Sequence, residues 1–247
     1  MTTARKGARR GPAPQGAAST AVVEFRHVTK TYSRTHTHAL KNVDFRVDKG
    51  EFVYLTGHSG AGKSTLLSLM LRRIVPTEGS VLVNGFDVAR IREGRLPQFR
   101  RSIGMVFQDH RLLDNLSAIE NLTFALRAVG ARGNLEQRAM QVLRQVGLAH
   151  KRKAYPIELS LGEQQRVAIG RAMVTDAPLL LTDEPTGNLD PDTATEILEL
   201  LNDINLRGTT VVVATHARDL VDRYKRRTLV LRNGELVRDD AQGGYSL

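Results

Sequence analysis

The sequence predicts an α/β fold with a mixed sheet core, an antiparallel β part at the N-terminal end and an inserted helical lobe. Three observations carry this prediction. Apolar runs of strand length alternate with amphipathic helical stretches from residue 178 onward, as βαβ units do. A glycine-rich turn at 57–62 joins an apolar strand to a helix. Between 117 and 147 strand character gives way to helical spacing.

The elements follow in order. Residues 1–20 hold Arg5, Lys6, Arg9 and Arg10, no acid, and otherwise mostly Ala, Gly, Pro, Ser and Thr. Such a stretch buries too little apolar surface to offset its ordering entropy, so a disordered basic tail is expected, followed by one compact domain over 21–247. AVVEFRHV, ALKNVDFRV and EFVYLTG read as strands, 63–74 as a helix, and SVLVNGFDV as a hairpin bent at Asn84-Gly85. IGMVF (103–107) is the next strand. Leu122, Leu126 and Val129, then Met140, Leu143 and Val146, recur at helical spacing and set a helical lobe at about 109–176. PLLLTD, TATEILELLNDI, TTVVVAT and ARDLVDRY then alternate strand and helix, and RTLVLRNGELVR closes the domain as a hairpin.

Composition narrows the class. The 247 residues are 41% hydrophobic, enough for a sizeable core, and contain no apolar run of the length that spans a bilayer. The basic N-terminus lacks the apolar stretch of a secretory leader, and cysteine is absent, which rules out disulfides and thiolate metal sites and fits a reducing compartment. A net charge of +10 suits either nucleic acid or an anionic membrane surface. Aromatic residues are only 5% and no recognition module is visible, so a membrane surface is favoured and no nucleic-acid partner is expected. The four cations of the tail suit an electrostatic tether to an anionic leaflet, or a leader with no task.

The chemistry centres on GHSGAGKST, residues 57–65, which satisfies G-x-x-x-x-G-K-[ST] between a predicted strand and a predicted helix. Glycines let successive backbone N–H groups turn toward phosphate oxygens, and the helix N-terminus adds its dipole. Gly57, His58, Ser59, Gly60, Ala61, Gly62, Lys63, Ser64 and Thr65 form this cradle, with Lys63 reaching the β- and γ-phosphates and Ser64 ligating Mg²⁺. A P-loop also needs an acid at the end of an apolar strand. LLLTDE supplies Asp183 for the metal and Glu184 as a general base toward the attacking water.

ELSLGEQQRVAIGRAM (158–173) resembles the signature segment of ABC ATPases, and the likeness extends over about 22–238. It implies a P-loop NTPase of ABC type, with 21–247 as its nucleotide-binding domain. It further implies that Tyr32 stacks on adenine, that Gln108 follows the strand into the metal site, that Asn188-Leu189-Asp190 is the D-loop and that His216 is the switch histidine. Asp190 also suits a helix cap, and His216 a satisfied core position. The resemblance implies a homodimer in which Ser160 and the backbone around Gly162 meet the γ-phosphate held by a second subunit, so that two ATP molecules are sandwiched. Leu161 stands where the family usually has glycine, and Glu163 where it usually has glutamine.

DEPTGNLD (183–190) is similar to a subgroup that works with permeases, covering macrolide exporters, lipoprotein-releasing complexes and a cell-division branch. FQDHRLL (107–113) looks most like the division branch. That likeness implies an ATPase at the cytoplasmic face of the inner membrane, paired with an FtsX-like integral membrane protein. The alternatives are the ATPase of a lipoprotein-releasing or macrolide-type exporter and, from another class, a soluble ATP-driven clamp on nucleic acid.

Overall fold

The computed structural model describes residues 21–33 and 37–244, so the basic tail expected at 1–20 lies outside the described residues. Strands β1 (Ala21–Tyr32) and β2 (Thr37–Asp48) pair antiparallel, and β1 pairs on its other edge with β4 (Glu78–Val83), which turns into β5 (Phe86–Asp87). Alternate residues of this sheet point inward, including Val23, Phe25, Val43 and Phe45, with the Phe25 and Phe45 rings stacked at 4.6 Å. Between β2 and β4 run β3 (Phe52–Thr56) and α1 (Lys63–Met70). The helix expected over 63–74 stops at Met70. Arg72 turns left-handed (φ 53°), and the amides of Arg72 and Arg73 close back on the Leu69 and Ser68 carbonyls.

A short helix absent from the sequence reading, α2 (Leu96–Arg101), precedes β6 (Ile103–Val106). Its single buried residue, Phe99, leaves no apolar period for a pattern to catch. Helices α3 (Ala118–Ala128), α4 (Leu135–Gln145) and α5 (Leu161–Met173) form the lobe, and α3 opens on a Ser117/Glu120 capping box. The chain returns through β7 (Leu179–Asp183), α6 (Pro191–Leu206), β8 (Thr210–Ala214), α7 (Arg218–Tyr224) and the hairpin β9 (Arg227–Arg232) and β10 (Glu235–Asp240).

The second sheet runs in the order β10-β9-β3-β8-β7-β6, parallel throughout except for β10. Its inner strands are mostly apolar because both faces are covered. Val53 and Leu55 of β3 point to the core shared with α1 and the antiparallel sheet, whereas Phe52 and Tyr54 point to the core shared with the helical lobe. Each such aliphatic side chain contributes about 1.5–3 kcal/mol of burial. Both cores brace the central strand, and the functional loops leave from the carboxyl ends of β3, β7 and β8. Among the described residues no helix is long and apolar enough to cross a membrane.

Candidate functional site

The loop after β3 wraps the N-terminus of α1. Gly57 takes φ 147°, and a Cβ there would lie 2.4 Å from the Leu231 carbonyl oxygen of β9. Gly62 takes φ 114°, and its Cβ would meet the Ala39 carbonyl oxygen at 2.9 Å. Both positions therefore require glycine for conformation and for space. The closing hairpin clamps the loop from behind: the Gly234 amide donates to the Ala61 carbonyl (3.0 Å), and the Lys41 amide donates to the Gly234 carbonyl (2.8 Å).

Helix α1 starts from Gly62 without any side-chain cap, so its first amides are left for another acceptor. Lys63 is almost fully buried and folds back over the loop, with Nζ donating to the Gly57 carbonyl at 2.7 Å. The same Nζ lies 3.8 Å from Glu184 Oε1. A cavity of about 670 Å³ opens over these groups, lined by His58 to Thr65 together with Gln108, Asp183, Glu184 and His216. Residues distant in the sequence thus face one open cavity.

Glu184 follows β7 in a left-handed conformation (φ 48°), which for a residue with a Cβ costs about 1–2 kcal/mol. Its amide donates to the Ala214 carbonyl of β8 at 2.8 Å, and this bond holds the turn. The carboxylate is nearly buried. Oε1 lies 2.8 Å from His216 Nδ1 and Oε2 accepts from the His216 amide at 3.2 Å. Burial, with the neighbouring Glu184 charge, raises the pKa of Asp183 above the ordinary aspartate value, against the pull of Lys63 and Arg73. An ionised Asp183 here is short of positive charge. Its carboxylate, the Ser64 hydroxyl and the Gln108 amide are hard oxygen donors facing one cavity, a set that fits Mg²⁺ completed by phosphate oxygens.

Other residues singled out from the sequence lie elsewhere. Tyr32 ends β1 partly exposed, with Lys30 Nζ 5.6 Å from its ring centre, and does not line the cavity. Ser160 caps α5, accepting from the Glu163 amide at 3.2 Å while Glu163 reaches back to the Ser160 amide at 2.9 Å. Lys151 lies 2.6 Å from Glu163, and its hydrogen bond is the main cause of the lowered pKa of that carboxyl. Gly162 is buried against Thr193, whose Cγ2 would lie 2.4 Å from an added Cβ. Asp190 caps α6 through the Thr193 amide at 3.0 Å. Ser160, Gly162 and Asp190 therefore sit together on α5 and the start of α6, outside the cavity. Ala39 and Arg218 line the cavity without having been picked out from sequence. Arg218 stands two places after His216, which is the one signal that pointed to it.

The chain matches the family model described as ABC transporter over residues 40–187. It is 45% identical over 225 residues to the cell division ATP-binding protein FtsE of Streptococcus pneumoniae serotype 2, covering 91% of this chain and 97% of the relative. To the protein of that name in Mycobacterium tuberculosis it is 46% identical over 227 residues, covering 92% and 99%. Among solved structures it is similar to the ATP-binding cassette MJ0796, dimeric and bound to ADP and Pi, at 36% identity and TM-score 0.80, covering 90% of this chain and all of that one.

Proposed function

This chain belongs to the ABC transporter family, and from that premise we propose that it binds and hydrolyses ATP between two copies of itself, driving an FtsX-like integral membrane protein in bacterial cell division. The observation that carries the reading is the split between two sets of groups. The phosphate loop, Lys63, Asp183 and Glu184 share one cavity, while Ser160 and Gly162 stand outside it on the same chain. A second copy would bring its own Ser160 and Gly162 to the open side, and the cassette MJ0796, solved as a dimer, supports that arrangement.

In this reading Lys63 holds the β- and γ-phosphates and Tyr32 stacks on the adenine. Ser64, Gln108 and Asp183 would hold Mg²⁺, which would supply neutralisation of charge on the phosphates. Glu184 takes a proton from the attacking water, and His216, which shares Oε1 with Lys63, orients the Glu184 carboxylate. The Ser160 hydroxyl already accepts the Glu163 amide, so its own hydrogen remains to donate to a phosphate of the second copy. Closure on ATP and reopening after phosphate loss then move the membrane partner. The protein works at the cytoplasmic face of the membrane. The division role is supported by the shared name of relatives from several bacteria.

Depleting the protein while isolating its membrane partner tests this. Division arrest with recovery of an FtsX-like protein is expected. Normal septation with capture of a lipoprotein-releasing or drug-exporting permease would overturn the division role. Sizing chromatography that shows only monomer with ATP, alongside normal hydrolysis, would overturn the sandwich.

A further inference from the structure

The chain leaving β5 shapes a second concavity, of about 450 Å³, lined by Phe86, Asp87 and Ile91 and by three arginines, Arg90, Arg92 and Arg95. It shares no lining residue with the cavity over the phosphate loop, and its volume is that of a small-ligand pocket. The floor is fixed. Phe86 meets the buried Phe99 of α2 edge-on, with ring centres 5.7 Å apart, and Ile91 packs against the same core. Two 3₁₀ turns, Val88–Arg90 and Glu93–Arg95, carry the arginines around it, with Arg92 leading into the second.

One carboxylate faces the three cations, and it is already engaged. Asp87 Oδ1 accepts from the Ala89 amide at 3.0 Å, and Oδ2 lies 3.3 Å from Arg90 Nε. Asp87 therefore anchors Arg90 and leaves the other two uncompensated. Arg92 and Arg95 are exposed, and among the described residues neither side chain has a hydrogen-bond or ion-pair partner. Glu93, the one acid in a stretch (88–101) that holds five arginines, does not line the concavity. Cations held around one hollow repel each other, and an anion seated between them relieves that repulsion. The guanidinium fork matches pairs of phosphate oxygens, which makes arginine suited to that anion.

We propose that this concavity binds the phosphate of an anionic lipid headgroup, with Arg92 and Arg95 donating to its oxygens and Arg90, set by Asp87, closing the cage. The choice of a lipid phosphate rests on the reading of the chain as the ATPase of a membrane complex. A bilayer surface presents phosphates side by side, so the concavity and the exposed arginines that flank it are served together, each by its own headgroup. Residues 1–20 carry cations and no acid, so they cannot fill the site from within the chain.

The test uses the full chain and sedimentation with vesicles of phosphatidylcholine alone or mixed with an equal part of phosphatidylglycerol, at low ionic strength where screening is weakest. Binding to the anionic vesicles and not to the neutral ones is expected. Arg92→Gln with Arg95→Gln should weaken it by about twentyfold, roughly fivefold for each cation lost from the surface. Arg144→Gln with Arg207→Gln removes the same charge from exposed positions on α4 and after α6, and should weaken it by less than about threefold. Equal losses in the two pairs would assign binding to diffuse charge and overturn the site. Two further results would overturn the lipid: calorimetric binding of free glycerol phosphate, or binding of a DNA duplex, with the Arg92 and Arg95 dependence that the vesicles then lack. Neither arginine lines the catalytic cavity, so turnover should persist in the Arg92 and Arg95 variant. Turnover and ATP-dependent dimerisation of the wild-type chain report separately on the proposed function: their loss defeats that reading, whereas vesicle binding indifferent to Arg92 and Arg95 with turnover intact defeats only this one.

Discussion

Two helix N-termini in this molecule carry phosphate chemistry in the proposed mechanism, and they are built in opposite ways. Helix α1 starts at Gly62 with no side-chain cap, inside a loop pinned by Leu231, Ala39 and Gly234. Helix α5 starts at Ser160 with a complete capping box, reinforced by Lys151 on Glu163. An uncapped and immobilised N-terminus leaves its amides for a ligand held in place. A capped one needs no ligand to persist, so it can stand exposed until a partner arrives. The difference is that between a cradle and a lid, and each variant below bears on one side of it.

The largest effect belongs to the base beside the cradle. Glu184→Gln should keep ATP affinity while turnover falls by ~10²–10⁴-fold, and the ATP-bound dimer should accumulate on sizing chromatography. Normal turnover in that variant would remove Glu184 from the chemistry. Lys63→Ala should weaken nucleotide binding by roughly tenfold to a hundredfold, the worth of a charged hydrogen-bonding group lost from the cradle. Titration with a fluorescent nucleotide checks this, and unchanged affinity would break the assignment of the loop.

Glycine substitutions sharpen the contrast through stability. Gly57→Ala drives a Cβ into backbone and should cost about 1–3 kcal/mol in urea denaturation. Gly162→Ala meets only the Thr193 methyl, so its cost should be smaller and should largely vanish when combined with Thr193→Ser. Equal and unrescued losses would show that the lid is as rigidly held as the cradle.

Asp183→Asn tests the charge balance of the cradle. The folded-state pKa of Asp183 is raised, so its ionised form disfavours the fold above that pKa, and the penalty fades as pH falls from that pKa to the unfolded value, below which it is gone. The variant should therefore unfold at a higher temperature than the parent near neutral pH and match it at acid pH, while losing Mg²⁺-dependent turnover. A lower midpoint at neutral pH would contradict the electrostatic account. The smallest effect is expected at Leu161, half exposed at the first position of α5. Leu161→Gly should raise ATP-dependent dimerisation or turnover by no more than about fivefold, the scale of 1 kcal/mol. No change, or a decrease, would make Leu161 a packing adaptation.

Much of the cradle was legible because its residues are contiguous. GHSGAGKST spells its own backbone requirement, and LLLTDE ends a buried strand at the acids. The hairpin at Asn84-Gly85 was legible for a similar reason: both residues take positive φ, which those residue types tolerate. Helix α2 escaped notice because one buried phenylalanine makes no period, and α1 was read too long because nothing in LRRI announces that Arg72 turns left-handed.

The sequence by itself determined the order of the strands and of every helix but α2, the phosphate loop, the acids at the end of β7 and the signature segment, since each is written within one local stretch. Only the tertiary structure decided that Gly234 clamps Ala61, that His216 and Lys63 both approach the Glu184 carboxylate, and that Arg171 holds the His110 and Arg111 carbonyls. Those partners are distant in the chain. Their meeting depends on the parallel order of β9, β3, β8 and β7 and on the packing of α5 against the sheet, and no local pattern of residue types encodes which distant carbonyl a buried guanidinium will reach.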